Sequence, residues 1–244
     1  GGDGTVAWIL NEVYAMDLDE KVSVSVLPIG TGNDLSRTLN WKADIDKNDL
    51  RNPFDMLRKI QRAESVLLDR WQININYDRS SMIAKRLNRL HPDKQMFMYN
   101  YISVGVDALV TYNFHKLRQS AFYIIKSKIL NKFLYFIYGS KEVFWQKCDG
   151  LHNELELYMD GEKIELPELQ SIVVLNIDNW GAGVRLIEMM KEIDPEYFES
   201  YSFSDGYVEV FGIVSSFHIA QLQIGLTKPI KFGRAKHVKV RFCS

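Results

Sequence analysis

The 244-residue sequence predicts an α/β layer built on a parallel sheet, followed by a strand-rich, β-sandwich-like domain with a helical insertion. Two glycine loops, at 1–5 and 30–34, each open a segment whose apolar residues recur at helical spacing. The second loop follows a β-branched run at 22–27 that ends at Pro28, the strand–loop–helix order of a parallel α/β layer. From about residue 65 the apolar period falls to two, as in half-buried antiparallel strands.

The elements follow in order. Residues 6–14 read as a helix behind the first loop, 22–27 as a strand, and 35–39 as the helix behind the second loop. Asn52 and Pro53 start a further helix running to about residue 63, because proline is preorganised for a first helical turn. A boundary near Glu64 divides the chain into 1–64 and 65–244, with the last strand free to return to the first domain. Strands are then expected at 71–77, 98–106, 154–159, 171–177, 207–213 and 237–242, with Asp160-Gly161 as a hairpin turn. Two helices are expected within 107–138 and one at 216–226, and the polar, basic stretch 78–95 reads as an exposed excursion.

Composition narrows the function. A 46% hydrophobic content over this length supports one large core or two modest ones. A formal net charge of −1 gives no global field for nucleic acid, so an anionic partner must be held by a local patch. Cys148 and Cys243 lie far apart without metal-ligand spacing, which argues against a disulfide framework or a zinc site and for a reducing compartment. The longest apolar stretch, 121–139, is broken by Lys126, Lys128 and Lys132, so no transmembrane segment is expected. The loop at 1–5 has no strand before it, and the sequence therefore reads as a piece of a longer chain.

The loops carry the candidate chemistry. Gly1, Gly2 and Gly4 let the backbone approach a ligand closely, while the following helix aims its free N–H groups and positive dipole end at the same place. Phosphate is the natural guest; a tight strand-to-helix turn that binds nothing is the alternative. Gly30, Thr31, Gly32, Asn33 and Asp34 form a second such loop, and neighbouring parallel strands would bring both loops to one crevice. Asp3 and Asp34 are candidate Mg²⁺ ligands, and Thr5, Thr31 and Asn33 offer neutral hydrogen-bonding groups. Asp34 also reads as a helix cap.

These residues carry a resemblance. Gly1-Gly2-Asp3-Gly4-Thr5 and Pro28-Ile29-Gly30-Thr31-Gly32-Asn33-Asp34-Leu35-Ser36-Arg37 are similar to the two nucleotide-loop motifs of the diacylglycerol kinase family. The first motif is shared with NAD kinases, phosphofructokinases and sphingosine kinases; the second is narrower. Leu68-Asp69-Arg70-Trp71, Asn100 to Ala108, Phe114-His115 with Arg118, Asn131-Lys132 with Tyr135 and Gly139, Leu175-Asn176-Ile177, Asp205 to Val210 and His218 to Leu226 resemble the family's accessory half in order. The Asn-Pro-x-Ser-Gly segment and first strand of the family do not precede Gly1, its cysteine-rich lipid-binding domains are not in the sequence, and Asp178 to Gly183 is a variant of the usual glycine-rich turn.

The resemblance implies a nucleotide-binding α/β layer that uses ATP and Mg²⁺ to phosphorylate the free hydroxyl of diacylglycerol, giving phosphatidic acid, in a cytoplasmic, peripherally membrane-associated enzyme. It implies Asp205 as the general base; on the residues alone, Asp205-Gly206 also reads as a plain turn. Another lipid kinase, acting on a sphingoid base or ceramide, and a non-catalytic lipid-binding module are the competing readings. Asp107, His115 and Arg118 are candidates for lipid head-group contact. Residues 115–141 contain no acidic side chain and interleave Lys126, Lys128 and Lys132 with aromatics, as a helical surface docking on an anionic membrane would; a helix pair with solvated lysines is the alternative.

Overall fold

A computed structural model describes residues 1–45, 51–76, 93–119 and 148–243. They form two compact units, Gly1–Asn100 with Gly181–Gly183, and Tyr101–Trp180 with Val184–Ser244, so Glu64 lies inside the first unit.

In the first unit, α1 (Asp3–Ala15) follows the first glycine loop, α2 (Asp34–Thr38) the second, and α3 (Pro53–Arg62) starts at its expected proline. Strand β1 (Trp71–Ile75) pairs antiparallel with β2 (Lys94–Met98), Trp71 opposite Met98. The parallel sheet expected here is not formed among the described residues, where every strand pair is antiparallel. The run 22–27 has strand propensity and buries Val26, but propensity becomes a strand only beside a ladder partner, and these residues have none among those described. The hairpin is locked to α1 by the Arg70 guanidinium, stacked between the Tyr14 and Phe97 rings at 3.8 and 3.3 Å from their centroids. The Tyr99 hydroxyl adds a 2.8 Å bond to Asn11 Oδ1.

The second unit opens with β3 (Tyr101–Gly105) and α4 (Val106–Gln119). After a one-turn helix, α5 (Leu151–Glu154), come β4 (Leu155–Met159) and β5 (Glu162–Ile164), joined by the expected turn with Asp160 and Gly161 at φ 49° and 92°. Then follow β6 (Ser171–Leu175), the two-residue strands β7 (Asn179–Trp180) and β8 (Val184–Arg185), and α6 (Pro195–Ser200). The unit closes with β9 (Val208–Ile213), α7 (Ser216–Gln223), β10 (Ile230–Ala235) and β11 (Val238–Phe242). One sheet runs β10-β9-β6-β3 and a second β11-β4-β5.

The period-two pattern explains how these layers pack. On one face of the four-stranded sheet, Val173, Leu175, Phe211 and Ile213 meet Val106 and Val110 of α4 and Ile219, Ala220 and Leu222 of α7. On the other, Ile172 and Val210 meet Leu155, Leu157 and Met159 of the second sheet. The β-sandwich-like arrangement occupies one side of the central sheet and helices the other. Full burial of each such aliphatic side chain stabilises the fold by roughly 1.5–3 kcal/mol.

The start of α7 is tied down by His218. Its Nδ1 accepts from Val214 N at 3.0 Å, so Nε2 carries the proton and donates to the Lys228 carbonyl at 3.0 Å. Burial lowers the His218 pKa below its ordinary value of 6.5. The folded state therefore favours the neutral ring. Its contribution is fully present above the unfolded pKa and is lost as pH falls through 6.5 toward the folded value. Thermal melts of wild type and His218→Gln should show the variant less stable at pH 8 but losing less of its Tm between pH 8 and pH 5.5. Equal pH slopes for the two proteins would remove His218 as the sensitive group.

Candidate functional site

The two glycine loops meet through their backbones. A Cβ added to Gly30 would lie 2.3 Å from Gly2 Cα, and one added to Gly2 would lie 2.9 Å from Gly30 Cα. No side chain fits either position. The second loop is shaped by Asn33, a buried non-glycine residue at φ 54°. Its Oδ1 accepts from Gly30 N at 2.8 Å, and its Nδ2 donates to the Gly30 and Ala43 carbonyls at 3.0 and 2.8 Å. The amide thus builds the loop. Gly1, Gly4 and Thr5 are exposed, while Gly32 and Thr31 are half-buried.

Asp3 and Asp34 lie together beside Gly32, whose added Cβ would be 3.1 Å from Asp3 Oδ2 and 3.2 Å from Asp34 Oδ2. Asp3 accepts from the Asp34 and Leu35 amides at 3.1 and 3.0 Å, so a residue of the first loop caps the helix behind the second. Asn100 Nδ2 adds a third bond to Asp3 Oδ1 at 3.0 Å. Asp34 is 2% exposed, and its Oδ2 accepts from Ala182 N at 3.2 Å. Asp34 Oδ1 is buried with no hydrogen-bond partner among the described residues. Burial first, and then the neighbouring Asp3 charge, push the Asp34 pKa up to about 6; the Ala182 and Gly183 amides and Arg37 act in the opposite direction. Arg37 also braces the loop, donating from Nε to the Gly32 carbonyl at 3.2 Å.

An orphaned carboxylate oxygen beside a second carboxylate is the hard-oxygen environment that a divalent cation favours. Among the described residues no cluster of three or more His, Cys, Asp or Glu side chains could enclose a metal alone. A cation held here would need phosphate or water oxygens to complete its shell. The structure brings together both loops and both predicted aspartates. It adds Asn100, Ala182 and Gly183, which sequence spacing could not place in the site because they reach it from far along the chain.

Within the second unit, Asp205 forms an ion pair with Arg234, and its Oδ1 accepts from Tyr207 N at 3.0 Å. Arg234 is itself held by the Ser200 carbonyl and hydroxyl at 3.2 and 3.1 Å, and lies 4.5 Å from the centre of the Tyr207 ring. Glu209, 1% exposed and pushed up in pKa by burial, accepts from the Tyr197 hydroxyl and sits 3.8 Å from Arg234 Nε. Of this cluster Asp205 is the one candidate base the sequence offers; the charged groups brought to it come from strand register, which sets Arg234 opposite Glu209, and from the short helix α6.

Asp107 is 3% exposed, and its carboxylate accepts from Trp180 Nε1 at 3.3 Å. Burial raises its pKa. His115 and Arg118 fall on α4. Lys126, Lys128 and Lys132 lie outside the described residues.

Residues 1–66 match the diacylglycerol kinase catalytic domain, and residues 97–244 the diacylglycerol kinase accessory domain. The chain is 31% identical over 244 residues to human diacylglycerol kinase theta, covering 98% of this chain and 25% of that protein. It is 32% identical to Arabidopsis thaliana diacylglycerol kinase 2, covering 100% of this chain and 34% of the relative. The chain thus spans about a quarter to a third of these relatives' length. A crystal structure from Bacillus anthracis str. Sterne shares the fold with a TM-score of 0.53 at 18% identity, over 99% of this chain and 65% of that one. With both domain models met in sequence order, and the accessory one alone covering more than half of the residues, the chain belongs to the diacylglycerol kinase family.

Proposed function

We propose that the protein transfers the γ-phosphate of ATP to the free hydroxyl of diacylglycerol, giving phosphatidic acid. The observation that carries this reading is the backbone contact of Gly2 with Gly30 beside the unpartnered Asp34 Oδ1. Two glycine loops, each opening a helix, offer amides to phosphate, and the carboxylate pair suits the cation that accompanies it. Residues 1–64 are read as part of the ATP-binding domain and 65–244 as the accessory domain, whose β1–β2 hairpin, Asn100 and 181–183 turn pack in the first unit.

In this reading Gly1, Gly2, Gly4, Thr5, Gly30, Thr31 and Gly32 bind the nucleotide through backbone and hydroxyl groups, with Asn33 holding the second loop's shape. Asp34 and Asp3 would hold Mg²⁺, which when bound neutralises phosphate charge. Asp205 accepts the proton of the attacking lipid hydroxyl, and Arg234 fixes the direction of its carboxylate. Most of the rate acceleration then comes from positioning.

Among the described residues no helix is long and apolar enough to cross a membrane. We place the enzyme in the cytoplasm, attached peripherally to anionic membrane through the acid-free stretch 115–141. Replacing Lys126, Lys128 and Lys132 together by Gln should weaken binding to phosphatidylserine-containing vesicles and flatten its salt dependence, at about 1 kcal/mol per near-surface cation. Turnover of a short-chain, water-soluble diacylglycerol should be spared. Unchanged vesicle affinity and salt dependence would assign these lysines to a solvated face.

The activity itself is tested by labelled phosphate transfer from ATP to diacylglycerol, sphingosine and ceramide in mixed micelles. The protein should be expressed with whatever its transcript encodes on either side of residues 1–244. Transfer confined to diacylglycerol is the expected result; label on a sphingoid base or ceramide, or on no lipid, would overturn the reading.

A further inference from the structure

Asp34 opens α2, but its carboxylate is held by a turn 148 residues downstream, where Ala182 N donates to Oδ2 at 3.2 Å. The Gly183 amide faces the same carboxylate. Gly181, Ala182 and Gly183 have φ of 56°, 71° and 113°, three consecutive residues with positive φ. Successive amides in turn conformations can make a concave anion-binding nest. Here an anion, the Asp34 carboxylate, is already seated against it. Ala182 makes the arrangement more telling, because a non-glycine residue in the left-handed region persists only where its surroundings over-determine it.

The consequence falls on the other oxygen. With Oδ2 tied to the turn, Oδ1 is left buried and without a hydrogen-bond partner among the described residues. The turn is braced from the nucleotide-loop side. A Cβ on Gly183 would lie 3.1 Å from Arg37 Nη1, and Arg37 Nε donates to the Gly32 carbonyl at 3.2 Å.

We propose that the 181–183 turn is a positioning element for Asp34: it fixes the orientation in which Oδ1 is presented to Mg²⁺-ATP, so a stretch within the accessory-domain match sets nucleotide affinity. This rests on the reading of the two loops as the ATP site. The effect expected of the turn is on nucleotide, through the Asp34 carboxylate.

The test is a double-mutant cycle between Gly183→Ala and Asp34→Asn, with Mg²⁺-ATP affinity measured by calorimetric titration without lipid, alongside kcat, both KM values and Tm. Gly183→Ala should weaken Mg²⁺-ATP binding about tenfold and leave the KM for diacylglycerol unchanged, because at φ 113° alanine is strained and its Cβ displaces Arg37. In the Asp34→Asn background the same change should cost less than about twofold, since its effect runs through that carboxylate. Equal losses in both backgrounds, or wild-type affinity in Gly183→Ala, would overturn the proposal. If Gly183→Ala does not fold, Gly181→Ala, at φ 56° where alanine is better tolerated, is read in the same cycle with the same criterion. Wild-type protein that binds Mg²⁺-ATP but phosphorylates no lipid would refute the kinase reading and leave the cycle readable. Wild-type protein that fails to bind Mg²⁺-ATP would refute both.

Discussion

Gly30→Ala should reduce phosphoryl transfer by about 10²-fold or more, because a displacement near 1 Å at a positioned site has an effect of that order. The new Cβ would lie 2.3 Å from Gly2 Cα, backbone that cannot rotate away as a side chain could. To restore ordinary contact the two loops must separate by more than 1 Å, carrying Asp3 away from the α2 amides it caps. Initial rates against ATP concentration, with circular dichroism and melting curves to confirm folding, measure the effect. Gly2→Asp should match or exceed it by placing a negative charge where phosphate sits. Wild-type kcat/KM for ATP in either folded variant would show that the loops do not form the phosphate site.

Asp205→Asn should lower turnover by about 10²-fold or more with ATP affinity little changed, as loss of a general base does. The amide oxygen can still accept from Tyr207 N, so the local turn persists, but Arg234 loses the closer of its two carboxylate partners, keeping Glu209, and a fall in Tm is expected as well. Turnover and stability must therefore be measured separately, at a temperature where the variant is fully folded. Undiminished turnover there would pass the base assignment to Asp34 or Asp3.

Local signals were the legible part of this molecule. Asn52-Pro53 marked α3, Asp160-Gly161 marked its hairpin, the alternation in 154–159 placed β4 on its buried face, and the apolar run in 207–213 marked β9, which is buried along its whole length. Elements with weak local signals were missed. Strand β10 carries two cationic residues and a register irregularity between Lys231 and Gly233, which blurs its period. Strands β7 and β8 have two residues each, and α6, despite its Asp194 cap and Pro195, is too short to show a helical repeat. The run 22–27 shows the reverse failure, a strong strand signal without a ladder among the described residues. In the site, both loops and both aspartates could be read from glycine spacing. Asn100 and the 181–183 turn could not, since only the chain's path in space brings them to Asp3 and Asp34.

That path bears on how the protein is made. The Asp3 carboxylate takes one of its donors from 97 residues downstream, and the Asp34 carboxylate takes its own from 148. A nascent chain that has emerged only just past the second glycine loop holds two carboxylates that still lack their distant donors, Asn100 for Asp3 and Ala182 for Asp34. Their mutual repulsion then works against closing the loops, and contacts of such sequence separation form slowly in any case. The ribosome passes Gly183 well after it has made the two loops, so during translation the loops are synthesised long before all of their donors are available.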